Sequence, residues 1–293
     1  MITRGLASAA HHIAALGPAL DVAAPTAPLF AGLDLARLLD PLLTSALALG
    51  VLALVFIPLE RTFPARPDQP IRRPELLIDL AFFLGQRLLF AGLAVAVLAA
   101  VDQALAPYLP TALQGLAAGL PLALRVVLAL ALGDLVTYWF HRACHRYAFL
   151  WRFHAVHHST RHLDWLAAHR EHPVDGVLTQ LCVNLPAIAL GLSVEAVGAV
   201  IVARGLWAIL IHSNTRLPLG PLGLLLGDPA LHHWHHADVP ETRHNFANLA
   251  PWLDLLFGTY HRPAGPETYP LGIPQPWPRG YLAQLLRPFL PSR

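Results

Sequence analysis

The chain of 293 residues contains no lysine: all 20 of its basic residues are arginine. We read this as a bias of the coding genome and attach no function to it. Charge of either sign is scarce. Charged residues make up 13% of the chain, about half the share usual in a soluble domain, and the mean hydropathy is +0.50. That combination points to lipid rather than water as the surrounding solvent. No basic run interleaved with aromatics occurs, which argues against nucleic acid, and a net charge of +2 adds nothing to that question. Two cysteines, Cys144 and Cys182, are too few for a disulfide framework or a four-thiolate site. The first residues carry one arginine and a Pro-interrupted apolar stretch, without the core and cleavage site of a signal peptide. No repeat of fixed period appears.

What is abundant is apolar sequence in long runs. Three stretches, about 38–59, 76–101 and 121–140, are long enough to cross a bilayer as helices. A fourth, from Val177 to His212, weakens at Gly191-Leu192-Ser193 and reads as a helical hairpin. The expected fold is therefore all-α, a polytopic membrane protein with four to five spanning or hairpin helices. Residues 1–35 form a weakly structured segment or an extra helix, 36–130 the transmembrane helices, 131–261 a histidine-rich part holding the hairpin 177–212, and 262–293 a Pro-rich, irregular tail. Glu60 to Glu75 carries Arg61, Arg66, Arg72 and Arg73, whereas Asp102 to Leu120 carries no arginine. The positive-inside rule then puts the first connection in the cytoplasm, and with it residues 141–175 and everything after Ser213.

The histidines follow that division. Of 17, only His11 and His12 precede residue 140, and the other 15 lie between His141 and His261. They fall into spaced groups: HRACH with His141 and His145, HAVHH with His154, His157 and His158, a lone His212 in HSNT, and LHHWHHADV from Leu231 to Val239. On a helix, positions i, i+3 and i+4 share an arc of about 100°, so each H-x-x-H-H set can converge on one point or bridge two. His141 and His154 are about 220° apart on a continuous helix, so a break is expected between Arg146 and Trp151. Asp228 and Pro229 read as the N-cap and first residue of the helix carrying LHHWHH. Geometry alone leaves His233 and His235 open; the spacing it shares with the HAVHH set favours His235. Imidazole suits iron, zinc, copper and nickel, and eight or nine imidazoles are too many for one ion and suit two. A zinc hydrolase signature H-E-x-x-H is absent, and the one Glu-x-x-His, Glu241 to His244, cannot build a carboxylate di-iron bundle.

HRACH, LWRFHAVHHST, HSNT, HHWHH and HNFANLAPWLDLLFGTY, in this order from about Ala131 to Tyr260, resemble the fatty acid hydroxylase/sterol desaturase superfamily. The resemblance implies an integral-membrane non-haem di-iron oxygenase that hydroxylates or desaturates a lipid with O₂. It implies as metal ligands His141, His145, His154, His157, His158, His212, His232, His235 and His236, with His172 and His244 as additional candidates and no catalytic residue beyond the metal centre. His162, His169 and His233 have no counterpart in the pattern and read as supporting or solvent-facing. Asp134, Asp164, Asp175 and Asp254 are the candidate acceptors that would orient ligand rings. The cofactors implied are two iron ions and O₂. No dinucleotide fingerprint, flavin motif or haem module is visible, so electrons come from a separate donor, for which a ferredoxin, a rubredoxin or a cytochrome b5-like protein all fit. The expected location is a bacterial inner membrane with the site facing the cytoplasm. The competing readings are a membrane zinc hydrolase and a metal-handling or metal-transporting protein; transport would need polar ligands inside the spans, which carry only isolated charges such as Arg87 and Asp134.

Overall fold

The computed structural model describes residues 35–291 apart from 193, 218, 241 and 242. The N-terminal segment expected over 1–35, with His11 and His12, lies outside the described residues but for its last position. The chain divides into two units, Met1–Asp40 and Pro41–Arg293, and the second holds the whole histidine-rich part. Among the described residues every regular element is helical, and the β-type pairings are two isolated bridges, Pro64 with Thr215 and Ala237 with Leu271.

Among the described residues, three helices are long and apolar enough to cross a membrane. α1 (Leu35–Thr62) supplies 23 such residues from Asp40. α2 (Leu76–Gly85) passes through one π turn, Gln86–Phe90, into α3 (Ala91–Leu105), giving an apolar rod of 33 residues from Leu76 to Tyr108. A short α4 (Thr111–Ala118) leads to α5 (Leu122–Arg146), 25 residues long. α5 runs past the end of its apolar stretch at Phe140, so it carries both His141 and His145 out of the span on one rod. The fold is thus that of an all-α membrane protein.

The expected break falls at Tyr147, whose backbone is extended (φ −108°, ψ 120°). α6 (Ala148–His158) starts there with a new direction. α7 (Pro173–Ala189) and α8 (Val194–His212) are joined at Gly191, which adopts the left-handed φ of 61° that glycine takes without strain. α7 lies directly on α5: a Cβ on Gly133 would come within 2.6 Å of the Val183 carbonyl oxygen. Only a residue without a side chain permits this backbone-to-backbone approach. The isolated charges singled out in the apolar helices are both partnered. Arg87 bonds Ser45 Oγ at 3.3 Å and lies over the Phe83 ring, and Asp134 pairs with Arg204 of α8 at 3.0 Å.

The short helices α9 (Leu222–Leu226), α10 (Pro229–His235) and α11 (Trp252–Leu256) complete the histidine-rich part. Asp228 caps α10 by accepting from Leu231 N at 3.2 Å, with Pro229 first in the helix, as the sequence indicates. The connection between α1 and α2 packs against this part rather than projecting away. Ala65 N and Arg66 N bond Asn214 at 3.2 and 2.9 Å, Gln69 bonds Leu163 O at 2.7 Å, and Arg73 forks onto Asp164. The arginine-rich loop and the histidine region therefore share one side of the three long helices.

The tail departs from expectation. Residues 281–286 form a helix, α12 (Tyr281–Leu286), although the segment is rich in proline. Its prolines lie outside the helix, and Tyr281 packs edge-on against Phe82 at 4.8 Å, so tertiary contact supplies what local composition does not. The tail also reaches the histidines: Glu267 receives a bond from His233 Nδ1 at 2.7 Å, and Leu271 pairs with Ala237.

Candidate metal centre

The nine histidines implied by the resemblance come together in two groups. His141, His145, His154, His158 and His235 form one; His157, His212, His232 and His236 form the other. Within each group one nitrogen from every ring lies within 4.8 Å of the others. The groups adjoin, since the rings of His158 and His236 stack at 4.2 Å between centroids. Seven of the nine are buried and two, His145 and His157, are half-buried.

Helical periodicity explains the sharing. His141 and His145 are one turn apart on α5 and face one group. His154 and His158 are one turn apart on α6 and face the same group, whereas His157, rotated by about 100° from His158, faces the other. The last H-x-x-H-H repeats the division: His235 joins the five, and His232 and His236 join the four. Each H-x-x-H-H therefore bridges both groups. LHHWHH does not form a triplet aimed at a single point.

Ring orientation is set from behind. His141 donates from Nδ1 to Phe246 O at 2.8 Å, His157 to Arg170 O at 3.0 Å, His212 to Ala208 O at 2.6 Å and His235 to His244 O at 2.8 Å. His154 Nδ1 lies 2.8 Å from the Asp175 carboxylate. A carbonyl only accepts, so in each such pair the proton sits on Nδ1 and Nε2 of the neutral ring is a bare lone pair. In the group of five, Nε2 of every ring is buried with no protein partner. In the group of four, Nε2 of His157 and His212 approach to 3.0 Å, and His232 Nε2 lies 2.9 Å from His212 Nε2. With Nδ1 of both His157 and His212 committed to carbonyls, the first of these contacts has no proton to share. Two lone pairs at that distance repel, and a cation turns the arrangement favourable. Protonation is not the remedy: burial, then the neighbouring His154, lowers the pKa of His157 to about 4, and burial brings His235 to about 3. Buried neutral imidazoles with bare Nε2 atoms are a nitrogen donor set fit for borderline metals, and nine of them fit two ions.

Of the four aspartates expected behind the ligands, Asp175 alone touches one of the nine rings. Asp134 instead pairs with Arg204 and accepts from Leu249 N and Ala250 N. Asp164 holds Arg73 and the 166–167 amides. Asp254 accepts from Phe246 N, Ala247 N and Thr259 Oγ1. Asp254 works one step removed, by fixing the loop whose carbonyls meet His141 and His235. Asn245, in that loop, takes the left-handed region at φ 58°, which asparagine tolerates better than other side chains. Its side chain bonds Leu231 O at 2.9 Å and His261 O at 2.7 Å, so the residues on either side turn their carbonyls to the histidines.

His172 and His244 stand outside both groups. His172 caps α7, accepting from Val174 N, and its Nε2 meets Leu285 O at 3.1 Å. A cap and a tail contact occupy both ring nitrogens. The His244 ring lies 5.4 Å from that of His261, and its carbonyl rather than its ring serves the site. His233 is engaged by Glu267 and by Ser213 O, at 2.7 and 3.0 Å. His162 meets Glu75 at 2.7 Å, and His169 packs against Phe83.

A further layer of support is not marked by any of the sequence motifs. Arg170, whose carbonyl orients His157, is buried, and its guanidinium bonds Asp79, which also meets Arg73. Glu60 accepts from Trp165 N at 2.8 Å and from Asn214 N at 3.0 Å. The available signal was a carboxylate inside or at the end of an apolar run, which demands a partner.

The family of the fatty acid hydroxylases matches residues 126–259. The chain is 38% identical over 174 residues to the ornithine lipid hydroxylase OlsE of Rhizobium tropici, covering 58% of this chain and 51% of that protein. It is 31% identical over 153 residues to the alkylglycerol monooxygenase of Danio rerio (49% of this chain, 33% of the relative). To the Delta(7)-sterol 5(6)-desaturase of Leptosphaeria maculans it is 28% identical over 140 residues (48% and 38%). The chain thus spans about half or less of the length of these relatives. No solved structure matches it. Residues 126–259, where all nine grouped histidines lie, match the fatty acid hydroxylase family, and the relatives named are lipid hydroxylases and a sterol desaturase.

Proposed function

We propose that the protein is a membrane di-iron oxygenase that hydroxylates or desaturates a lipid. The observation that carries this reading is the pair of adjoining histidine groups, five and four, the five with every Nε2 buried and unpartnered. His141, His145, His154, His158 and His235 would hold one iron, and His157, His212, His232 and His236 the other. Iron bound there supplies O₂ activation and the oxidising power to break an unreactive C–H bond. Hydroxylation balances as R–H + O₂ + 2H⁺ + 2e⁻ → R–OH + H₂O, and desaturation removes two hydrogens for two waters. The electrons come from a separate protein, a ferredoxin, a rubredoxin or a cytochrome b5-like carrier.

The chain's own residues do three things. Phe246 O, Arg170 O, Ala208 O, His244 O and the Asp175 carboxylate fix the rings, so that little reorganisation accompanies metal binding. Burial keeps the imidazoles neutral and ligand-competent. The span α5 delivers His141 and His145 at its own end, so a lipid in the bilayer reaches the centre without leaving it. Loop charge supports a cytoplasmic face for the centre, in a bacterial inner membrane.

Metal analysis of the purified protein, paired with lipid profiles of cells with and without it, tests the proposal. The expected result is two irons per chain and a lipid gaining one oxygen or losing two hydrogens. One zinc and no iron overturns it. A reporter fused at residue 150 that reads as external overturns the orientation.

A further inference from the structure

Two adjoining cavities, of about 490 and 630 Å³, open beside the group of five histidines. They share His145, Arg146, Tyr147 and Arg243, and the larger also reaches His158 and His235. The smaller is walled by three arginines, Arg142, Arg146 and Arg243, together with Trp139 and Phe246, and among the described residues no carboxylate lines it. Among the described residues Asp238 is the one carboxylate on the larger. Arg142 is already committed to Tyr138 Oη at 3.1 Å and to the face of Trp139. Arg146 and Arg243 are exposed, and among the described residues neither has a carboxylate at ion-pair distance. Arg146 is also the last residue of the span α5, flanked by the half-exposed Trp139 and exposed Tyr147, the residue types that settle at the head-group level of a bilayer.

Guanidinium groups without a carboxylate partner at that depth match a carboxylate or phosphate, which they bind through two parallel hydrogen bonds. We infer that the site takes lipids with an anionic head group, a carboxylate or a phosphate, held by Arg146 and Arg243. This rests on the lipid-oxidising function proposed for the same site and narrows its substrate class. His145 shares the cavity walls with the arginines, so the bonds presented to the histidines belong to the head-group end of the lipid. The oxidation is the same balanced step, with O₂ and the external donor's two electrons.

The test uses the full chain in uncharged detergent and four probes: N-lauroylglycine, dodecyl phosphate, the uncharged N-lauroylglycinamide, and inorganic phosphate alone. We expect one or both charged lipids to bind about tenfold tighter than the amide. Arg243→Gln and Arg146→Gln should each weaken the charged probe about five- to tenfold and leave the amide unchanged, with Arg243→Lys restoring part of the loss. Arg152→Gln, an arginine outside both cavities, should change nothing. Equal binding of amide and charged lipids overturns the inference, as does an equal loss in Arg152→Gln, which marks general surface charge. Inorganic phosphate binding as tightly as dodecyl phosphate overturns the assignment to a lipid. A product oxidised at the far end of an acyl chain overturns the positional claim. Iron content is measured separately on the same samples, so failure of the di-iron reading and failure of head-group recognition give different results.

Discussion

The three long helices and the histidine-rich part bury opposite things. In α1 many large apolar side chains point outward, with Leu54 77% and Leu47 69% exposed, while Phe56 packs inward against Phe83, Trp165 and Ile209 and Ser45 holds Arg87. Around the metal centre the order reverses: His236 and Thr160 are fully buried, and Asp164 holds the buried Arg73 in the interior. One region turns its apolar surface to lipid, which is as apolar as leucine and gives no drive to pack. The other excludes water from polar groups that hold one another in place. Stability and function are thus concentrated in the second region, and four expectations would break or sharpen that contrast.

The largest effect is expected from removing a ligand. His145→Ala or His235→Ala should lose one of the two irons and bring activity to background, whereas His233→Ala, whose ring serves Glu267 and Ser213, should keep both ions. Metal content and turnover of the three variants decide the assignment; a His233→Ala variant that loses metal while His235→Ala keeps it would reverse it.

Next is pH. In the metal-free protein His157 and His235 have folded-state pKa values of about 4 and about 3, depressed from 6.5. Below pH 6.5 the unfolded chain binds protons that the folded chain refuses. Stability is therefore full above that value and falls as pH drops towards 4, by up to about 1.4 kcal/mol per pH unit for each such ring. Thermal unfolding of chelated protein between pH 7.5 and 4.5 should show this fall, and a flat profile contradicts it.

Asp175→Asn comes third. The amide is nearly isosteric but removes the charge behind His154, and a loss of about 10- to 100-fold in metal affinity or activity is expected, read by iron titration with an unchanged fold. The smallest effect lies in the other region. Leu54→Ala should cost about 0.5 kcal/mol or less, against about 2–5 for a leucine buried in a well-packed core. A large loss of thermal stability in Leu54→Ala would show that α1 packs on protein rather than lipid.

Much of this was legible in the sequence. Apolar run length marks the three long helices, because hydropathy and length are local properties. The break near Arg146 and the cap at Asp228 follow from local capping chemistry and the 100° step of the helix, and the preference for His235 over His233 from the spacing shared with the HAVHH set. The acceptors behind the rings were read poorly: four aspartates were expected there, one touches a ligand, and backbone carbonyls do most of the work. Every residue has a carbonyl, so sequence carries no mark of which one will face a histidine. The left-handed turn at Asn245 and the bonds to Asp254 decide that for Phe246 and His244. The helix in the tail was missed for a related reason, since contact with α2 rather than local propensity stabilises it.

By itself, then, the sequence determined which histidines are available, on which helices and with what angular separation. Only the tertiary structure decided that each H-x-x-H-H would divide between two sites. Three imidazoles on one helix face can converge or bridge, and both satisfy the helix equally. The choice is made where α5, α6, α8 and α10 meet: His141, His154, His157, His212 and His235 are aimed by a carbonyl or carboxylate behind Nδ1, from another segment or from the preceding turn.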